Sequence, residues 1–84
     1  MTVWVEIIDL GRKTSPKRGL IVNRVITVWD RPFTEKDPIV LFSWETRSER
    51  GFLEKLAFIE DEYGEWKEQV DVRPIGLKLK QRHN

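Results

Sequence analysis

The sequence predicts an α+β fold in which a small, curved antiparallel sheet packs with one amphipathic helix. Three segments in the first half are rich in β-branched and aromatic residues, and turns containing glycine or proline separate them. One later segment repeats apolar residues at the spacing of a helix, and a short alternating segment follows it. The resulting order is β-β-β-α-β, and the short connections between the first three strands favour an antiparallel meander.

The first three strands are expected at residues 2–10, 19–30 and 39–44. The segment 10–19 is expected to be a loop, because it contains a central proline and ends in glycine. Large apolar residues occupy both faces of the strands, whereas one helix covers only one face. The other face must be closed by curling of the sheet, by the C-terminal segment or by another subunit. A homodimer at micromolar concentration is therefore expected.

The helix is expected between Thr46 and Gly64. Thr46 and Glu49 have the spacing of a capping box, and Gly64 stands where a helix C-cap belongs. Apolar residues recur every three or four positions between these ends: Phe52, Leu56, Ile59 and Tyr63. At about 100° per residue they form one narrow stripe, which predicts the face that covers the sheet.

The last part of the chain is expected to extend again. Trp66, Val70 and Val72 share one face of a period-2 segment, and Pro74 and Gly76 interrupt it. Residues 1–76 are therefore expected to form a single α+β domain. Residues 77–84 are expected to form a basic C-terminal edge strand, which would be a fifth short strand, or a loose tail.

The composition excludes several classes of protein. The chain has no cysteine, so disulfides and thiolate metal sites are absent and a reducing compartment is indicated. No apolar run is long enough to span a bilayer, and the N-terminal segment carries acids where a signal peptide would be basic. The expectation is a cytoplasmic protein with no membrane segment.

The net charge of +1 conceals a segregation of charge along the chain. Residues 10–19 contain four cations and no acid, and residues 72–84 again contain four cations and no acid. Residues 60–71 contain six acids and one lysine. Such blocks can present separate basic and acidic surfaces, although clustering by chance on a solvated surface explains them equally well.

The basic blocks suggest contact with nucleic acid, because flexible cations on a turn can follow a phosphate backbone without reading bases. Trp29 could stack on a base beside Arg31, although Arg31 could equally pair with Asp30 or Glu35. Charged residues in a solvated hairpin loop would look the same. The candidates for contact with nucleic acid are Arg12, Lys13, Lys17, Arg18, Trp29, Arg31, Lys78, Lys80 and Arg82.

The helix offers an alternative function. Phe58 lies off the apolar stripe, between Glu54 and Glu62 on a helical wheel. It could be a second packing contact of the helix, or an aromatic anchor ringed by acids in a protein interface. Phe58 and Glu62 are therefore candidates for a protein-interaction or inhibitor module, with the acidic surface and a sheet edge contributing.

Catalysis is not expected. His83 is next to last in a basic tail, a position that does not hold a proton donor in register. No serine has a histidine partner in the pattern, and Glu60, Asp61 and Glu62 point different ways on a helix end. No catalytic residue, metal site or cofactor is therefore assigned. The leading expectation is a small non-enzymatic module that binds nucleic acid through the basic loop and the basic C-terminal tail.

Overall fold

The computed structural model describes residues 2–70 and confirms the α+β class, with one helix packed on a four-stranded sheet. The elements are β1 (Val3–Ser15), β2 (Gly19–Trp29), β3 (Val40–Thr46), α1 (Glu49–Tyr63) and β4 (Trp66–Glu68). The predicted order β-β-β-α-β is therefore confirmed. The basic strand or tail expected at residues 77–84 lies outside the described residues.

The sheet is mixed rather than wholly antiparallel. Its strand order is β3-β2-β1-β4, with β1 and β2 antiparallel, β2 and β3 antiparallel, and β1 and β4 parallel. The antiparallel prediction holds for the first three strands. It is wrong for β4, because α1 carries the chain back along the sheet before β4 begins, as crossover connections do. The described strands form an open sheet and not a closed barrel, and covering of the second face by partial curling of the sheet stays a prediction.

β1 is longer than the sequence suggested. It continues through the basic segment to Ser15, where Thr14 pairs with Leu20 and Ser15 with Gly19. The predicted loop over 10–19 is therefore wrong, and the turn is confined to residues 16–18. The edge of β2 offers a hydrogen-bonding partner along its whole length. An irregularity between Asp9 and Gly11 shifts the register by one residue, and pairing continues beyond it.

The core lies between α1 and one face of the sheet. Its fully buried side chains are Val3, Val5, Ile26, Val28 and Ile59. Alternation places the strand residues together, since Val5 pairs with Val28 and side chains two apart share a face. The other residues of the predicted helical stripe, Phe52, Leu56 and Tyr63, pack against this cluster. The predicted face of the helix is confirmed.

The helix begins two residues later than the capping box required. Ser48 is the N-cap, and its Oγ accepts a hydrogen bond from the Gly51 N–H at 3.0 Å. Thr46 is buried in β3, and Glu49 is paired with Arg24 at 2.8 Å. The prediction of Thr46 as the cap is therefore wrong, because β3 retains Thr46 in its ladder. The C-cap is confirmed: Gly64 has a φ of 80° and donates its N–H to the Glu60 carbonyl at 2.7 Å.

Replacing the observed cap tests where the helix begins. Ser48→Ala is expected to lower the free energy of unfolding by about 0.5–2 kcal/mol, because the Gly51 N–H loses its acceptor. Ser48→Asp is the control and should retain most of the stability, since an aspartate is an equally good cap. Urea titration measures both. Equal unfolding midpoints for Ser48→Ala and the unchanged protein would contradict the assignment.

The face of the sheet opposite α1 is called the open face here. It carries the cross-strand pairs Trp4–Trp29, Glu6–Thr27 and Ile8–Val25. At one end the segment between β2 and β3 packs against it, where the rings of Phe33 and Trp29 meet edge to face at 5.2 Å. Within residues 2–70 no helix lies on this face, so the homodimer expected from the sequence stays a prediction. No helix of the described residues is long and apolar enough to cross a membrane.

Candidate nucleic-acid interface

The basic turn between β1 and β2 has a defined geometry. The Ser15 Oγ accepts hydrogen bonds from the backbone N–H groups of Lys17 and Arg18, each at 3.3 Å. Gly19 follows with a φ of 72°, a left-handed conformation that glycine adopts without the steric cost of a Cβ. The backbone that carries Lys17 and Arg18 is therefore held by a local hydrogen-bond motif.

Strand alternation separates the four cations of this hairpin. Lys13 pairs with Ile21 and lies on the open face, whereas Arg12 pairs with Val22 and lies on the face that carries α1. Neighbouring residues of a strand point to opposite faces, so Arg12 and Lys13 cannot line the same surface of the sheet. The predicted basic loop is thus divided between two sides of the hairpin.

A groove of about 490 Å³ lies on the open face beside the turn. It brings together residues of β1, the turn, β2, β3 and the segment that follows β3. Its lining residues are Lys13, Thr14, Ser15, Pro16, Arg18, Ile21, Asn23, Glu45 and Arg47. Two of the predicted cations, Lys13 and Arg18, therefore meet a third, Arg47, that the sequence did not single out.

The charge of the groove is positive. Lys13, Arg18 and Arg47 are exposed, and within residues 2–70 none of them forms an ion pair. Other arginines of the chain form ion pairs: Arg24 with Glu49 and Arg50 with Glu54. One carboxylate, that of Glu45, lines the same groove. Within residues 2–70, therefore, no ion pair has to be broken before an anionic ligand binds these cations.

Tertiary pairing places Arg47 in the groove. The Val22 N–H donates to the Arg47 carbonyl at 3.1 Å, which holds the chain after β3 against β2. The predicted cap at Thr46 puts Arg47 in the first turn of the helix, apart from the cations of the hairpin. The available signal was the period-2 relation of Glu45 and Arg47, which puts both on one face if the strand is extended past Trp44.

Trp29 and Arg31 lie far from the groove. They are at the other end of β2, and the six residues from Asn23, which lines the groove, to Trp29 advance by roughly 20 Å in an extended strand. The Trp29 ring packs against Phe33, and its buried Nε1 has no acceptor among the described residues. Base stacking by Trp29 stays a prediction, and it would take place at a site separate from the groove.

Arg31 is engaged by its neighbour. Its guanidinium donates to both carboxylate oxygens of Asp30, with the shortest contact at 2.8 Å, and also to the Lys36 carbonyl at 3.3 Å. The hydrogen bond from Arg31, followed by that from the Ile39 N–H, holds the pKa of Asp30 below its ordinary value. The pairing with Asp30 is one of the two alternatives that the sequence left open. Contact of Arg31 with nucleic acid stays a prediction, as it does for Lys78, Lys80 and Arg82, which lie outside the described residues.

Phe58 belongs to an aromatic cluster formed by Phe42, Trp44 and Phe58 on the surface of β3 and α1. The Phe58 ring meets Trp44 edge to face at 5.6 Å and Phe42 at 6.4 Å. Phe42 and Phe58 nevertheless remain 42% exposed, and Glu62 on the same helix is exposed. Packing on Phe42 and Trp44 therefore buries part of the Phe58 ring and leaves the rest exposed. The role of Phe58 in a protein interface stays a prediction.

Metal-ligating side chains do not converge in the described part of the chain: residues 2–70 contain no group of three or more carboxylates or histidines that could hold an ion. His83 lies outside these residues. The groove therefore stands as the candidate site on its charge and shape. A comparison of the chain with protein families, with curated proteins and with solved structures found no match.

Proposed function

We propose that this protein is a small non-enzymatic module that binds nucleic acid through the groove and the basic turn beside it. One observation carries the proposal: Lys13, Arg18 and Arg47 come from three separate segments and line one groove, without an ion pair to any residue of 2–70. Cations around a concave surface provide the contacts that phosphate groups need.

The shape of the hairpin supports the same function. The turn that carries Lys17 and Arg18 is exposed at the end of a long two-stranded ribbon. A ribbon of this kind can approach a nucleic-acid backbone without obstruction by α1, which packs over the core at the other side of the sheet. Lys78, Lys80 and Arg82 belong to the proposal through their charge, which would add further phosphate contacts.

The salt dependence of binding tests the proposal. A labelled oligonucleotide is titrated with the protein between about 50 and 200 mM salt, and fluorescence anisotropy gives the association constant. Three phosphate contacts predict a log–log slope of about −2.7 on duplex DNA and about −2.1 on a single strand. Additional contacts from Lys17 or the C-terminal cations would steepen both slopes. Absence of measurable binding to DNA and RNA at low salt would overturn the proposal.

A protein-interaction module is the second candidate, and the aromatic cluster favours it. Phe42 and Phe58 are each 42% exposed and lie near β3, an edge strand of the sheet. β3 pairs with β2 on one side, and its other edge pairs with no strand of the described residues. Aromatic side chains next to a free strand edge are typical of surfaces that accept an added strand or a second subunit. Failure of nucleic-acid binding would make this the leading function, with a homodimer as its simplest form.

A further inference from the structure

We infer that the groove holds a single unpaired nucleotide and selects a base that carries an exocyclic amino group, with cytosine as the simplest case. The inference rests on the proposed function, since it assigns a ligand to the same groove. Glu45 points to this ligand, because phosphate binding alone does not explain a carboxylate in the lining of the groove.

Glu45 opposes the charge of the three cations. Its carboxylate lines the groove with Lys13, Arg18 and Arg47, and no residue of 2–70 forms a salt bridge with it. A phosphate in this groove is attracted by the cations and repelled by Glu45. The arrangement favours a ligand with an anionic end and a hydrogen-bond donor at the other end. A nucleotide with an amino group on its base has this distribution.

Asn23 supplies a second polar group beside Glu45. On the open face Glu45 pairs with Val25, and Asn23 is the next residue of β2 on that face. The Asn23 Oδ1 is buried and has no donor among the described residues, while the side chain lines the groove. An amide that leaves its oxygen inside the protein presents its NH₂ group outward, and that group can donate to a ring nitrogen or carbonyl of a base.

These two groups match one edge of cytosine. Glu45 can accept from the amino group at C4, and the Asn23 amide can donate to N3 or O2 of the ring. Uracil has a carbonyl at C4 instead of the amino group and a proton on N3, so Glu45 would face an acceptor at C4 and the Asn23 amide could donate only to O2. The carboxylate therefore distinguishes two pyrimidines of the same size.

The remaining walls suit a nucleotide in size and polarity. A volume of about 490 Å³ is within the range of roughly 300–1,000 Å³ that small-molecule pockets occupy, which suits one nucleotide, while the three cations at its rim stay exposed to a phosphate backbone. Ile21 provides an apolar surface for the face of the base, and the guanidinium groups of Arg18 and Arg47 can stack or bind phosphate. Gly11 pairs with Asn23 across the hairpin and has no side chain, which leaves space on that side of the amide.

Single-stranded oligo-deoxycytidine and oligo-deoxyuridine of equal length test the inference at neutral pH, because their bases differ chiefly at C4. Fluorescence anisotropy should show the unchanged protein binding the cytosine oligomer about fivefold or more tightly. Glu45→Gln should reduce the difference to about twofold or less, since a glutamine amide can accept from cytosine or donate to uracil. Glu60→Gln is the matched control: it removes the same charge from an exposed position of α1 and should keep the preference.

The outcomes separate the inference from the function on which it rests. Equal affinity for the two oligomers, with steep salt dependence retained, would overturn the base selection and leave phosphate binding in place. A cytosine preference that survives in Glu45→Gln would overturn the role of Glu45. No binding of either oligomer at low salt would overturn the proposed function and the inference together. Circular dichroism of both variants shows whether the fold is intact before the affinities are compared.

Discussion

Ile59→Ala is expected to destabilise the protein by about 2–5 kcal/mol, which is a large share of the roughly 4–13 kcal/mol expected for a chain of this length. The Ile59 side chain is 0% exposed and belongs to the same buried cluster as Val3, Val5, Ile26 and Val28. Truncation removes apolar contacts and leaves a cavity between α1 and the sheet. The neighbouring side chains are held by strand pairing and can fill that cavity only in part.

Leu53→Ala is the matched control for this prediction. Leu53 lies on the same helix and also loses a branched side chain to alanine, but it is 55% exposed. Its replacement should cost less than about 1 kcal/mol, because little apolar surface returns to water. Urea denaturation followed by tryptophan fluorescence gives both values. Similar losses for the two variants would mean that α1 does not pack through the Ile59 face.

The core could be predicted because periodicity alone determines which side chains share a face. The spacing of Phe52, Leu56, Ile59 and Tyr63 predicted the helical stripe, and it packs on the core as expected. Alternation likewise predicted the existence of the strands. These patterns reflect burial directly, since an apolar residue out of register would be exposed to water.

The start of the helix and the end of β1 are set by strand pairing, which competes with local sequence preferences and cannot be read from the sequence. Thr46 and Ser48 are both good caps, and the pairing of β3 with β2 decides between them by keeping Thr46 in the sheet. The charged residues before Ser15 are poor strand formers, yet they pair because β2 presents an open edge beside them. Local propensity is overridden in both cases by tertiary contacts.

Only part of the candidate site could be predicted from the sequence, because tertiary contacts also determine which residues line the groove. Lys13 and Arg18 were identified by their charge, but charge does not show which face of a strand a residue occupies. Arg47 is 29 positions from Arg18 in the chain, and only the pairing of β2 with β3 brings them to one groove. The role of Glu45 could not be suggested until its neighbours in the groove were known.

Neutralising the three cations of the groove is expected to have the largest effect on binding. The triple variant Lys13→Gln, Arg18→Gln, Arg47→Gln should weaken binding to duplex DNA by at least about tenfold at moderate salt, because about three phosphate contacts are lost. The loss should be similar for different duplex sequences, since contacts with phosphates carry no sequence information. All three side chains are exposed, so the fold should be retained.

A second triple variant controls for net charge. Arg12→Gln, Lys36→Gln and Lys67→Gln remove the same charge from exposed residues that do not line the groove. Arg12 is the informative member of this set, because the sequence suggested it as a phosphate ligand and the structure places it on the other face of the sheet. A large loss in this variant would return Arg12 to the binding surface.

The salt dependence of duplex binding by the two triple variants tests the central claim most directly. The measured quantity is the slope of the logarithm of the association constant against the logarithm of salt concentration, on the same duplex for both. If the groove binds phosphates, the slope of the groove variant should be shallower than that of the unchanged protein by about 2.7. The slope of the control variant should differ from that of the unchanged protein by less than about one. Equal changes in the two variants would show that binding follows net charge alone, and would contradict the assignment of the groove as the nucleic-acid site.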